Sequence, residues 1–396
     1  MNENKLLEAM PPSLARNIAE DILSKSDRRQ PMLSIVAAIS TMCGVFCDRM
    51  KTPHGVNPSL IVIGIADTTQ GKGWPMNYYG QAIKEIRGAS KVHGRIMSGQ
   101  EMIRTALKNM GKMFYLYDEC QGVFGAMTGA RSESYQREIG RQLLGICTSQ
   151  SLEMSDEDRE NEVGKLARKA AKAKKIKKES AADKKEPEYL QAEIDYQDAI
   201  GALEWIKNGC PDPCLSFLGA TQHANAGKII NEKTMLEGLP GRILFGFASK
   251  KTPTSRESYI KQEINPKIIS DLRSIRFEND VIDLRYSRAA LEAIKRVRRE
   301  SDAIIDDVPI MKAVIGRYAE MTERIASYLS VENGVIEVEA VEWAYQLVKH
   351  NSDMVGAFLQ VETFYSEDGK LAPIESLDAI AARLALEMKS YSDWTP

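Results

Sequence analysis

The sequence predicts an α/β fold with a mainly parallel sheet, amino-terminal helices, a basic insertion and a carboxy-terminal helical domain. Apolar runs of strand length occur at residues 60–65, 113–119 and 214–221, and polar or glycine-rich residues follow each run. Runs that are apolar on both faces are typical of strands buried in a parallel sheet. After about residue 252 the apolar residues recur with the period of a helix. Because 396 residues exceed what one core usually organises, we expect two main domains.

These patterns divide the chain into four segments. They are an amino-terminal helical region at 1–57, an α/β core at 58–252, a helical lid-like domain at 253–362 and a helical tail at 363–396. The core is interrupted by the charged insertion 155–190.

The loop after the first core strand, Leu60–Ile65, has the character of a phosphate-binding loop. Its candidate nucleotide-binding residues are Asp67, Thr68, Thr69, Gln70, Gly71, Lys72 and Gly73. Backbone N–H groups there can surround an anion, and Lys72 supplies a charge for the β- and γ-phosphates. A helix predicted over about Trp74–Arg87 would point its positive end at the same place. The core is therefore predicted to be of the P-loop nucleotide-binding type.

Two positions depart from the usual pattern G-x-x-x-x-G-K-[ST]. Ala66 replaces the first glycine, which is a small change, and Gly73 replaces the hydroxyl residue that normally contacts Mg²⁺. Thr68 or Thr69 could approach the metal instead. Without further support, the same segment also fits an ordinary strand–turn–helix joint with an incidental lysine.

A second strand, Met113–Glu119, ends in two adjacent carboxylates. Parallel strands display such endings at the carboxyl edge of the sheet, where ligands bind. We expect Asp118 to hold Mg²⁺ and Glu119 to orient or deprotonate the attacking water of a nucleotide hydrolase. Asp118 could equally begin a helix as its cap.

Two further segments carry candidate residues. The strand Cys214–Thr221 closes on Thr221-Gln222, whose polar side chains could sense the γ-phosphate, or could simply end a strand. The segment Gly238–Phe247 places Arg242 on a turn ahead of another apolar strand. An arginine displayed this way could stabilise transition-state charge at a neighbouring subunit's nucleotide, or could pair with a local carboxylate.

The insertion 155–190 carries lysine at nearly every other position of its centre and few large apolar residues. One interpretation is a solvated, partly disordered segment. The other is a basic arm for the phosphate backbone of DNA. Beyond it, helices are predicted at Ser287–Ser301, Val308–Val331, Glu337–Leu359 and Ile374–Ser390. A lid built from these helices could bring Arg317 or Arg324 to the phosphates, but the favoured interpretation is that each arginine lies on the surface or in a salt bridge.

The order of these motifs resembles that of phage- and prophage-type P-loop replication ATPases, which are akin to helicase domains that follow primases. The matching segments, spread over about residues 30–350, are Leu33–Cys47, Pro58–Gly64, Gly71-Lys72, Ser98–Met102, Leu116–Glu119, Leu218–Thr221 and Gly238–Arg242. The resemblance implies a ring-forming, ATP- and Mg²⁺-dependent protein that acts on DNA during replication. It implies Lys72, Glu119 and Arg242 as catalytic residues and Asp118 as the metal ligand.

Composition fits a soluble cytoplasmic protein. The net charge of −2 excludes a generic polyanion binder, no apolar run reaches membrane-span length, and the amino terminus lacks the features of a signal peptide. The six cysteines have neither zinc-site spacing nor a disulfide-rich context.

We therefore expect a homo-oligomeric ring, with six subunits as the leading number, that hydrolyses ATP to move or unwind single-stranded DNA. A separate primase or other replication protein is its expected partner. The alternative is a nucleotide-binding loader or regulatory scaffold with little turnover, which the glycine at position 73 would suit. A third possibility is a DNA-binding module that retains a vestigial ATP fold.

Overall fold

A computed structural model describes residues 3–88, 92–94, 96, 98–128, 134–148, 151–152, 154–182, 186–249, 262–306 and 308–368. The strands are β1 (Met50–Lys51), β2 (Leu60–Ile65), β3 (Val92–His93), β4 (Lys112–Tyr117), β5 (Cys214–Thr221), β6 (Ile243–Phe247), β7 (Ile282–Asp283), β8 (Arg285–Tyr286) and β9 (Val335–Ile336). Five of them form one sheet in the order β3-β4-β5-β2-β6. Every neighbouring pair in this sheet is parallel, which confirms the predicted α/β fold.

Helices surround this sheet and precede and follow it in the chain. They are α1 (Glu3–Glu8), α2 (Leu14–Lys25), α3 (Pro31–Phe46), α4 (Gly73–Arg87), α5 (Gly99–Lys108), α6 (Gln121–Thr128), α7 (Ser134–Ile146), α8 (Asp156–Ala182), α9 (Glu186–Lys207), α10 (His223–Ala226), α11 (Glu232–Leu236), α12 (Pro266–Glu278), α13 (Arg288–Ile304), α14 (Lys312–Ile315), α15 (Tyr318–Leu329) and α16 (Val338–Asp368). Short 3₁₀ turns lie at Pro240–Arg242 and Pro309–Met311.

Helix α3 is buried along its whole length, and two glycines let it lie directly on the sheet. Gly64 of β2 and Gly246 of β6 are register partners. A Cβ at position 246 would lie 2.5 Å from Cγ2 of Val36, and one at position 64 would lie 3.3 Å from Leu33. The two glycines therefore form a shallow depression for α3, and the amino-terminal helices share the hydrophobic core of the sheet.

We expect Gly246→Ala to destabilise the fold by about 1–3 kcal/mol, the usual cost of overpacking a tight core. The added methyl group would overlap Val36, which lies on a buried helix and has no space to withdraw. Urea denaturation measures the loss. The matched control is Gly122→Ala on α6, where a Cβ meets nothing within 4 Å. Equal denaturation midpoints for the two variants would contradict this account of α3 packing.

The charged insertion forms a helical hairpin in which α8 packs along α9. Small residues make the seam: Ala170 and Ala173 of α8 are buried, as are Ala199 and Ala202 of α9. Lys169 lies 3.6 Å from Asp195, and Lys177 pairs with Glu193 across the seam. The described part of 155–190 is thus helical, and its outer side remains rich in exposed lysine and arginine.

The carboxy-terminal helices pack beside edge strand β6 and around the amino ends of the strands. The amide oxygen of Asn351 on α16 accepts a hydrogen bond from the backbone N–H of Phe245 at 2.8 Å. The predicted single helix over Val308–Val331 is instead a 3₁₀ turn followed by α14 and α15, with Gly316 ending α14. The predicted helix at 374–390 lies outside the described residues.

A buried charge cluster joins three helices at the amino edge of the sheet. Asp48, just after α3, accepts hydrogen bonds from Arg276 of α12 at 2.9 and 3.0 Å and also pairs with Arg87 of α4. The side chains of all three residues are less than a tenth exposed, at 3%, 9% and 6%. Both guanidinium groups also donate to the carbonyl of Val45, at the end of α3, so the cluster caps that helix.

In the described part of the chain, no helix combines the length and apolar character that a membrane span requires. All six cysteines are buried free thiols. Among the same described residues, no group of three or more histidine, cysteine or acidic side chains is arranged to hold a metal ion.

Candidate functional site

The carboxyl ends of β2 and β4 bring the two predicted motifs together. The ammonium group of Lys72 lies 3.0 Å from Oδ1 of Asp118, although 46 residues separate them in the chain. The lysine side chain is 20% exposed and the aspartate 67%. The sequence predicted Lys72 for phosphate binding and Asp118 for metal binding. In the structure the two side chains are in direct contact.

The loop from Ala66 to Lys72 contains two residues in the left-handed region. Thr69 has φ 69° and Gly71 has φ 93°. A β-branched residue such as Thr69 rarely adopts this conformation, and such strain is concentrated at ligand-binding loops. A Cβ at position 71 would lie 2.7 Å from the carbonyl oxygen of Arg28, so only glycine fits between the two loops.

Several backbone N–H groups of this loop have no backbone acceptor among the described residues. Asp67 donates to Oε1 of Gln70 at 2.8 Å, and Gln70 donates back to the carbonyl of Asp67 at 3.1 Å. Within the described residues, the N–H groups of Thr68, Thr69, Gly71, Lys72 and Gly73 have no such bond. They stand at the amino end of α4, whose dipole favours negative charge. This arrangement can bind phosphate oxygens.

Position 73 is where the predicted metal site departs from the usual pattern. Gly73 is exposed, and a Cβ placed there would meet no atom within 4 Å, so the absence of a side chain is not forced by packing. Thr68 and Thr69 are exposed in the same loop. Asp118 is the residue that could hold Mg²⁺ here, because carboxylate oxygen is a preferred ligand of that ion.

The turn after β4 carries the two candidate carboxylates. Glu119 has φ 56°, and its backbone N–H donates to Oδ1 of Asp118 at 3.0 Å. The backbone N–H of Cys120 then donates a hydrogen bond to the carbonyl of Ala220, in β5, at 2.9 Å. Both carboxylates are exposed at the edge. Helix α6 begins at Gln121, so Asp118 does not form its cap.

The end of β5 is bonded to both loops. The buried hydroxyl of Thr221 donates to Oε1 of Gln121 at 2.9 Å, and its carbonyl accepts from Ala66 N–H at 2.9 Å. Gln222 follows and is partly exposed between the loops. Thr221 therefore lies where a phosphate-sensing residue is expected, but its hydroxyl is already held by Gln121.

His223 belongs to this site, although sequence reasoning did not identify it. Its backbone N–H donates to Oδ1 of Asp67 at 3.1 Å, and its ring nitrogen Nδ1 lies 3.3 Å from the same oxygen. Neither ring nitrogen has a hydrogen-bond partner of good geometry within the described residues. The one sequence signal was its place directly after Thr221-Gln222, at the end of a core strand.

Arg242 lies away from these residues of its own chain. It precedes β6, so it stands at the amino edge of the sheet, opposite Lys72 and Asp118. Its Nη1 donates to the carbonyl of Gly238 at 3.0 Å. Burial, and then the charge of Arg317, lower the pKa of Arg242. A role at a neighbouring subunit's nucleotide stays a prediction.

The other two candidate arginines lie near Arg242 and do not reach the predicted phosphate site of their own chain; both form ion pairs with Glu320, which agrees with the favoured interpretation. Arg324 is buried and donates to the carbonyls of Asn57 and Cys147 at 2.8 and 2.5 Å. Arg317 donates to Glu320 at 2.7 Å. Asn57 precedes β2, which places this contact at the amino edge.

The chain matches no protein-family model, no curated protein sequence and no solved structure.

Proposed function

We propose that this chain binds Mg²⁺ and ATP at the carboxyl edge of its sheet and hydrolyses ATP. The observation that carries the proposal is the 3.0 Å contact between Lys72 and Asp118 on the loops after β2 and β4. In P-loop hydrolases a phosphate-binding lysine and a metal-binding carboxylate act on the same triphosphate, so the two side chains lie on neighbouring loops. Free N–H groups at the start of α4 support the same conclusion.

The residues divide the chemistry between them. The ammonium of Lys72 would leave Asp118 for the β- and γ-phosphate oxygens, and Asp118 would turn to the metal. Mg²⁺ supplies charge neutralisation of the phosphate oxygens. Glu119 would accept a proton from the attacking water while the water oxygen bonds to the γ-phosphorus. The bond between the γ-phosphorus and the β–γ bridging oxygen would break, and ADP would leave.

We further propose that the protein is an oligomeric, hexameric motor on single-stranded DNA, in phage or mobile-element replication. Support comes from the exposed basic side of α8, where Arg168, Lys172 and Lys175 recur at turn-like spacing. Arg242 lies at the edge opposite the proposed nucleotide site of its own chain, so any role for it in hydrolysis would be at the nucleotide of a neighbouring subunit. A primase would be a separate chain.

A second candidate function is a nucleotide-binding loader or regulatory scaffold with little turnover. The glycine at position 73, which leaves the metal without its usual hydroxyl ligand, favours this alternative. The two functions share ATP binding and differ in hydrolysis.

For the motor, we expect Glu119→Gln to lower the rate of ATP hydrolysis about 100- to 10,000-fold while ATP still binds, because the amide cannot accept the proton of water. Phosphate release is measured with and without single-stranded DNA. The matched control is Glu237→Gln, an exposed glutamate at the end of α11. DNA-stimulated turnover that Glu119→Gln removes supports the motor, and tight ATP binding without turnover in the wild type supports the scaffold.

A further inference from the structure

A groove of about 920 Å³ lies between α4 and α12, close to the phosphate-binding loop. Its walls include Asn77 and Gln81 of α4 and Ile269 of α12. Trp74, in the first turn of α4, also lines the groove and is 4% exposed. The volume is in the range of pockets that hold small-molecule ligands.

Two connections join the groove to the phosphate-binding loop. Along α4, Trp74 directly follows Gly73, the last residue of that loop. Through space, the ammonium of Lys25 donates to the carbonyl of Glu263 at 2.7 Å, and Gln262 donates to the carbonyl of Lys25 at 3.2 Å. Arg28, three residues later, packs on Gly71. The groove and the loop therefore share the amino end of α4 and the segment around Lys25–Arg28.

The groups lining the groove suit a planar heterocycle. The amides of Asn77 and Gln81 each offer donors and an acceptor, one turn apart on the exposed side of α4. The indole N–H of Trp74 is buried and has no hydrogen-bond partner within the described residues. Arg273 and Glu85 also line the groove and form an ion pair at 2.9 Å.

We propose that this groove holds the base of the nucleotide whose phosphates lie on the 66–73 loop. The proposal rests on the proposed function and adds the residues that recognise the base. Asn77 and Gln81 bond the polar edge of the base, and the N–H of Trp74 donates to a ring nitrogen or to the ribose.

The test compares binding of Mg²⁺·ATP with binding of Mg²⁺ and inorganic tripolyphosphate by calorimetry. Because each lost hydrogen bond weakens binding several-fold, we expect the double variant Asn77→Leu/Gln81→Leu to bind ATP about tenfold more weakly. Tripolyphosphate, which has no base, should bind this variant and the wild type equally. Trp74→Phe keeps the aromatic packing but removes the N–H group, so it should weaken the binding of ATP and leave the binding of tripolyphosphate unchanged. Gln191→Leu, an exposed glutamine on α9, is the matched control.

The outcomes separate the two proposals. Unchanged ATP affinity in the double variant overturns the base site and leaves nucleotide binding intact. Equal loss of ATP and tripolyphosphate affinity also overturns it, as does wild-type protein that binds both compounds equally. A wild type that binds neither compound overturns the proposed function itself.

Discussion

Replacing Lys72 with alanine is expected to weaken Mg²⁺·ATP binding about 10- to 100-fold, because charged hydrogen bonds to phosphate contribute about 1.5–3 kcal/mol. At an ATP concentration 100 times the wild-type Kd, ligand binding stabilises the wild type by about 2.7 kcal/mol. In the variant this stabilisation should fall to about 0.4 kcal/mol at the upper end of the range. The thermal denaturation midpoint with and without Mg²⁺·ATP measures the difference.

The variant should fold without ligand, because the pair that Lys72 makes with Asp118 is exposed and such pairs contribute about 1 kcal/mol or less. Lys207→Ala, at the exposed end of α9, is the matched control and should retain the full response to ATP. A wild type whose midpoint does not change with ATP would favour the DNA-binding module with a vestigial ATP fold. A Lys72→Ala variant that responds as the wild type does would remove the phosphate site from this loop.

Most of the proposed nucleotide site was predictable because its residues directly follow buried strands. An apolar strand of a parallel sheet fixes where the next residues lie, so the positions of Lys72 and Asp118 at one edge follow from the strand pattern of the sequence. The same rule locates Arg242, since a residue that precedes a parallel strand must lie at the opposite edge. His223 and Arg28 were not predictable as site residues, because their contacts with Asp67 and Gly71 depend on loop conformations.

The insertion shows a different limit of sequence patterns. Its seam consists of alanines, so the strong apolar stripe that usually marks a packed helix is missing. Small residues at spacings of three and four can still bring two helices close together, as Ala170 and Ala173 do against α9. The alanines of α8 are interleaved with lysine and arginine, so the lysine-rich composition of the segment did not indicate a packed helix.

Asp48→Asn is expected to destabilise the fold by about 3–5 kcal/mol, because it leaves two buried guanidinium groups without a counter-charge. Arg87 and Arg276 are less than a tenth exposed, and both also hold the end of α3, the helix on which the sheet packs. Urea denaturation of the wild type and the variant measures the loss. Asp280→Asn is the matched control, because Asp280 lies 3.6 Å from Arg49 but is fully exposed. This substitution should change the free energy of unfolding little.

The pH dependence of the Asp48 effect follows from the direction of its pKa shift. Burial alone would raise the pKa of Asp48, but hydrogen bonds and charges from Arg276 and Arg87 hold it well below the ordinary value of 3.8. A carboxylate with a lowered pKa stabilises the fold above its unfolded-state pKa, and this contribution is lost only as the pH falls toward the folded value. The difference between wild type and Asp48→Asn should therefore be the same at pH 5 and pH 8. A difference that disappears by pH 5 would mean that Asp48 is protonated there, and that the two arginines do not depend on its charge.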